Sequence, residues 1–279
     1  MYRYLFSVFF LVLATPALGQ KITCSPEDKQ AFEDKTIAID GLLEHDFGTT
    51  LAAIGKTFLG TPYVAKTLEI GETESLVVNL HGLDCTTFVE NVLVFGMLLK
   101  DGKSEFDVFT GHLETIRYKD GKLNGYGSRL HYFSEWIADN SKKGLVRDIT
   151  PDLGGVELQK KINFMGTHRE LYTFLKDDSN YRQILETEKR LNKKPLCYLP
   201  QDEMEANENL IKTGDIIALA TSIKGLDVTH TGIAIKRNGR IHLLHASTGS
   251  MEVEITKIPL AEYLKGVKNN IGILVARPL

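Results

Sequence analysis

Asn238-Gly239 lies between two strand-like runs, residues 228–236 and 241–246, and an Asn-Gly pair so placed specifies a two-residue β-hairpin. That turn fixes a register. It sets His230 opposite Ser247 and Gly232 opposite His245. Side chains alternate along a strand, and directly opposed residues share a face. His245 therefore joins His230 on one face, one diagonal step away, and His242 points to the other face. A three- or five-residue loop would reverse that choice and select His242. Gly232, with no side chain, leaves room beside His245. Further strands are expected at 214–220, 253–258 and 271–277, enough for a small antiparallel sheet.

The first half of the chain has the other periodicity. Residues 25–58 read as helical and end at Gly60-Thr61-Pro62. From Asp84 to Leu99 the residues Val89, Val92, Leu93, Gly96, Met97 and Leu99 describe a helix apolar on nearly every side. Asp84 stands at its N-cap, which puts Cys85 in the first turn. Residues 101–210 are more polar, with helix-like stretches near 106–118, 129–140 and 169–192. A helical half carrying a cysteine, then an insertion, then antiparallel strands gives an α+β class, read as one domain over residues 20–279.

The opening residues are of a different kind. Arg3, the apolar run 5–14 and Ala17-Leu18-Gly19 have the anatomy of a secretory signal peptide over residues 1–19. Export to an oxidising space, expected to be the periplasm, follows from that reading. No other apolar run is long enough to span a bilayer. The net charge is −3 and the pI about 6.3, which leaves no basic footprint for nucleic acid. The cysteines are Cys24, Cys85 and Cys197, an odd number, so at least one thiol stays unpaired. A Cys24–Cys197 bridge is one pairing this count allows.

Cys85 has a reason to stay free. The partial positive charge of a helix N-terminus favours a thiolate, and the same N–H groups suit an oxyanion. A histidine is the commonest base for such a thiol, and a third polar group usually orients it. His230 and His245 fit those two roles. No His-Glu-x-x-His or Cys-x-x-Cys supports a metal, and no Gly-x-Ser-x-Gly supports a serine nucleophile.

Five segments, in this order, resemble the NlpC/p60 superfamily of papain-like cell-wall cysteine hydrolases. They are Gly60-Thr61-Pro62-Tyr63, Leu83-Asp84-Cys85-Thr86, Gly214-Asp215-Ile216-Ile217, His230-Thr231-Gly232-Ile233 and His245-Ala246-Ser247. Asp-Cys-Thr-Thr departs from the Asp-Cys-Ser-Gly of γ-D-glutamyl endopeptidases. The long separation of Cys85 from His230 also departs from a minimal domain. The segments Thr61-Pro62-Tyr63-Val64-Ala65-Lys66-Thr67-Leu68-Glu69, Ser128-Arg129-Leu130-His131-Tyr132-Phe133 and Asn163-Phe164-Met165-Gly166-Thr167-His168 resemble one branch, formerly labelled a domain of unknown function and associated with N-acetylmuramoyl-L-alanine amidase activity.

The resemblance implies a papain-like core, a nucleophile helix packed on the small sheet, and a large, mostly helical insertion at about 101–210. It makes Cys85 the nucleophile, His230 the base and acid, and His245 the orienting residue, with no cofactor or metal. Tyr63, Asp84 and Thr86 would contact substrate beside the thiol. The substrate would be peptidoglycan or its soluble disaccharide-peptide fragments, and the chain a monomer. Arg129 is a candidate contact for the acidic stem peptide and Tyr126 for a sugar face, and His131 is a further candidate substrate contact. Tyr132, Phe133 and Trp136 follow Arg129 at helical spacing and read as core. The alternatives are a γ-D-glutamyl–diamino acid endopeptidase and a wall-binding module without catalysis.

Overall fold

The computed structural model describes residues 22–279, so the signal-peptide reading lies outside the described residues. Strand β1 (Ile22–Thr23) runs parallel to β2 (Leu76–Val77). Between them come α1 (Pro26–Ile39) and α2 (Phe47–Lys56), separated where 40–46 break the expected continuous helix. Ser25 caps α1 and Asp46 caps α2, each accepting from a backbone N–H of the first turn. Helix α3 (Cys85–Lys100) follows, then α4 (Phe106–Arg117) and α5 (Phe133–Lys142).

The insertion also supplies strands β3 (Val146–Asp148), β4 (Val156–Leu158) and β5 (Leu196–Pro200), around α6 (Phe164–Thr167) and α7 (Asp178–Leu191). After α8 (Met204–Asn207) come β6 (Ile216–Thr221), β7 (Val228–Arg237), β8 (Arg240–Ser247), β9 (Glu252–Ile255), α9 (Leu260–Gly266) and β10 (Asn270–Pro278).

The sheet is larger than the sequence suggested. It has eight strands in the order β4-β5-β10-β6-β7-β8-β9, with β3 also paired to β10. All these pairings are antiparallel. The insertion is therefore not a separate helical layer. Its β5 extends the sheet beyond β10, and strands of three to five residues are too short to show alternation.

Alternation organises the two cores. Ile216, Ala218, Ile233, Ile235, Leu244 and Ala246 face α1–α4, packing against Phe88, Val92 and Phe95 of α3. Ile217, Leu219, Ala234, Leu243 and Ile273 face the other way, onto Leu260 and Leu264 of α9. The sheet is covered on both faces, which is why β6 reads as a continuous apolar run. Gly96 lets α2 lie close to α3: a Cβ there would stand 2.3 Å from Leu51 Cδ2.

A third cluster lies inside the insertion and includes Tyr126, Tyr132, Met165, Phe174 and Ile184. Tyr132, Phe133 and Trp136 are buried, as their spacing predicted, and the Phe133 and Trp136 rings stack at 4.9 Å. Arg129 is not on their helix, because α5 begins only at Phe133 with Tyr132 at its N-cap.

The cysteines are free. Cys24 packs beside the α1–α4 core and Cys197 sits on β5, opposite Glu157, so the bridge allowed by the count is not made. Among the described residues no helix is long and apolar enough to cross a membrane.

Candidate active site

The site is built at the start of α3. Asp84 Oδ1 accepts the Thr87 N–H at 2.8 Å, and Thr87 Oγ1 accepts the Asp84 N–H at 2.9 Å, closing a capping box. This fixes the first turn and holds Cys85 at its opening position, half-buried. The chain before it is stitched to β9. Gly60 N–H donates to the Val253 carbonyl at 2.9 Å, and Tyr63 N–H to the Met251 carbonyl at 2.9 Å. Tyr63 also bridges to Leu83, so its ring is delivered beside the turn that carries Cys85. Burial, then the neighbouring Cys85 and Asp84, push its phenol up to about 12, and it remains a proton donor across the working range.

The opposing wall is the start of β7. Asp227 is buried and accepts from Ser134 N–H at 2.8 Å, Ser134 Oγ at 2.7 Å and Val228 N–H at 2.8 Å. It ties β7 to α5. Between Val228 and His230 the pairing with β6 slips by one, leaving Thr229 as the extra residue of a bulge. Bulges re-aim the next side chain.

His230 Nε2 then stands 2.6 Å from His245 Nδ1, with the two rings nearly perpendicular at 88°. The hairpin register is the expected one: Arg237 pairs with Arg240 and Ile233 with Leu244. Asn238 and Gly239 both have positive φ, +51° and +80°, as a tight turn of this kind requires. His242 lies on the other side of β8, its Nδ1 at 2.8 Å from the Thr256 carbonyl. One detail differs. The space left by Gly232 is filled by Leu243, whose Cδ1 would be 2.8 Å from a Cβ there, and not by His245.

The thiol meets this wall at Thr231, the residue after His230. Thr231 and Thr86 lie near enough to Cys85 to favour a thiolate, although the buried Thr231 hydroxyl has no hydrogen-bond partner among the described residues, and their effect does not prevail. Burial, and next the Asp84 carboxylate, push the thiol up to about 11. The position at the helix start led to the expectation of a depressed thiol; burial and the neighbouring carboxylate act against that.

Burial also pushes His230 down to about 4 and, with the neighbouring His230, takes His245 down to about 3. At rest the thiol and both imidazoles are neutral.

Two outcomes follow. Asp84→Ala removes the cap and should cost about 1 kcal/mol of stability. It also removes an anion beside the sulfur, so Cys85 should alkylate faster at neutral pH, as timed thiol labelling would show.

The histidines make the fold acid-sensitive. In the unfolded chain they take up protons near 6.5, but in the folded chain only at about 4 and about 3. Their neutral burial is without cost above 6.5, and stability falls as the pH drops from there toward 4, by on the order of a few kcal/mol. Thermal melts across that window should show the slope, and His245→Asn should flatten it.

The insertion residues gather into their own cluster. Tyr126 is 1% exposed and donates its hydroxyl to Glu69 Oε1 at 3.2 Å. Arg129, 6% exposed, stands 3.5 Å from Glu69 and 3.5 Å from Glu74, with its guanidinium over the Tyr126 ring. His131 Nε2 is 2.9 Å from the Tyr126 carbonyl, and burial, then Arg129, keep it neutral well below its usual value. These residues meet one another and Glu69, six positions after Tyr63, and do not line up along a helix face.

The sequence reading missed Asp227 and Thr231. An acid three residues before a strand-borne histidine was the available signal for Asp227. Nothing in the sequence marked Thr231.

A family model described as N-acetylmuramoyl-L-alanine amidase-like, AmiA-like, matches residues 53–273. The chain belongs to that family. The crystal structure of an N-acetylmuramoyl-L-alanine amidase from Bacteroides uniformis ATCC 8492 is 37% identical, with a TM-score of 0.80 over 84% of this chain and 99% of that one. A Bacteroides fragilis protein, provisionally designated a xylanase, is 43% identical, with a TM-score of 0.75 over 80% of this chain and 98% of that one. A Legionella pneumophila protein that matches the DUF1460 family model shares the fold, at 22% identity and a TM-score of 0.67 over 90% of this chain and 95% of that one. No curated protein matches the chain.

Proposed function

We propose that this member of the amidase-like family is an exported cysteine amidase. It hydrolyses the amide between the lactyl group of N-acetylmuramic acid and L-alanine in peptidoglycan or its soluble fragments. The observation that carries the reading is the 2.6 Å contact between His230 and His245, made directly beside the residue that touches the Cys85 thiol.

His230 takes the thiol proton on Nδ1 while sulfur adds to the lactyl carbonyl. The Cys85 N–H and the Tyr63 hydroxyl support the oxyanion. The imidazolium protonates the alanine nitrogen, the C–N bond breaks, and a muramyl thioester remains on Cys85. Water, deprotonated by His230, releases the muramic carboxylate and regenerates the thiol. No cofactor takes part. Tyr63 and Thr86 border the reacting atoms. Tyr126, Arg129 and His131 are buried and act by holding the Glu69 segment behind Tyr63. We read α3 on the antiparallel sheet as a papain-like NlpC/p60 core.

Glycoside cleavage would require two carboxylates flanking the bond. Asp84, the acid nearest the thiol, is committed to capping α3. Amide hydrolysis through sulfur fits these residues better. Rapid acid quench of the enzyme with a disaccharide-peptide, followed by intact mass, tests the reading. It expects a disaccharide adduct on Cys85, and an unmodified protein at every quench time would contradict it.

A further inference from the structure

The contact between the two histidines fixes where their protons must be. For His230 to accept a proton on Nδ1, its own proton must sit on Nε2 and be donated to His245 Nδ1. His245 then carries its proton on Nε2. In the opposite arrangement His245 Nδ1–H donates to His230, whose Nδ1 is protonated and useless as a base. The productive arrangement therefore needs an acceptor for His245 Nε2–H. That nitrogen is buried and has no hydrogen-bond partner within the protein. An unmet buried donor is costly, so the His230 contact alone does not hold His245 in the required tautomer.

The groups around it are few. His230 faces it from β7, Tyr263 of α9 meets its ring edge-on at 5.7 Å, and Glu254 lies directly across the ladder on β9. Directly opposed residues share a face, with Cβ atoms about 5 Å apart. Glu254 therefore lies on the His245 side of the sheet, and it is half-buried. It also borders an open surface groove together with Thr256, Lys257 and Tyr263, which leaves its carboxylate free to turn.

We propose that Glu254 is a positioning residue of the catalytic site, the acceptor that receives His245 Nε2–H, directly or through one water, and so holds the His230–His245 pair in the tautomer in which His230 is a base. Tyr263 forms the apolar wall that keeps Nε2 from bulk water. The proposal rests on the reading of His230 as the base, but its test does not.

The test is nitrogen NMR of the resting, histidine-labelled protein, which reads each ring's tautomer without turnover. Wild type should show His245 protonated on Nε2, and Glu254→Ala should shift it toward the Nδ1 form. The kcat of Glu254→Ala should fall roughly tenfold or more, with KM little changed, because a base in the wrong tautomer is lost to proton transfer. Its pH–rate profile should move, and Glu254→Asp should recover part of the rate. Tyr263→Phe should leave the tautomer as it is.

A wild-type His245 protonated on Nδ1, a tautomer insensitive to Glu254→Ala, or a change caused by Tyr263→Phe would each overturn the assignment. Activity surviving in Cys85→Ala would instead remove the catalytic reading and leave the tautomer result standing.

Discussion

Cys85→Ala should lose at least about 10³-fold in kcat while melting close to the parent. Cys85 opens the first turn of α3, and that turn is held by the Asp84–Thr87 capping box, not by the thiol. Removing one sulfur atom therefore deletes the proposed nucleophile and leaves the scaffold. His230→Ala should be nearly as severe, and the double variant little worse than either alone, because the two groups act on one proton.

The resting protonation states add a further mark. With the thiol up at about 11 and His230 down at about 4, the pair is neutral, and the proton leaves sulfur only as the attack proceeds. Iodoacetamide should therefore react slowly with Cys85 near pH 6 and faster as the pH rises through 9. Peptide mapping would separate it from Cys24 and Cys197, which are also free. Fast labelling below pH 7 would mean that an ion pair forms at rest and that the site is more polar than its burial indicates.

Glu90→Ala should destabilise the fold by about 3–5 kcal/mol, which for a chain of this size lowers the melting midpoint by on the order of 10 °C. Glu90 lies on α3 and is 2% exposed. Its Oε2 accepts from Arg117 Nε at 2.7 Å, and Arg117 Nη1 donates to the Val77 carbonyl at 2.6 Å. One buried cation thus joins α3, α4 and the short β2. Without Glu90 that guanidinium stays buried beside a single carbonyl. Replacing both partners, as in Glu90→Leu with Arg117→Met, should recover much of the loss, because a buried pair is costly chiefly when it is broken. Denaturant melts of the single and double variants would measure this. Equal losses in both would mean that packing, not the unpaired charge, sets the cost.

Much of this was legible wherever a local signal had one physical meaning. The Asn238-Gly239 turn admits two positive φ angles, and from it the register and the His230–His245 contact followed. Asp84 before an apolar run gave the start of α3 within a residue. The stripe from Arg129 to Trp136 had two meanings. Its apolar members are core, but Arg129 lies outside the helix and meets Glu69 and Glu74, distant in sequence.

Pairings of that range leave no periodic trace, and neither does the Glu90–Arg117 pair. The strands β3, β4 and β5 are set by the edge of β10 and not by their own composition. The burial that raises the thiol is hidden for a related reason. Helix position is visible in a sequence, and desolvation is not.

The most direct measurement gives the chain, and its Cys85→Ala form, a defined disaccharide–tetrapeptide and weighs the products by mass spectrometry. Free disaccharide plus intact tetrapeptide is the expected result, formed only when Cys85 is present. A cut after the second residue of the peptide, or the same products from Cys85→Ala, would contradict it.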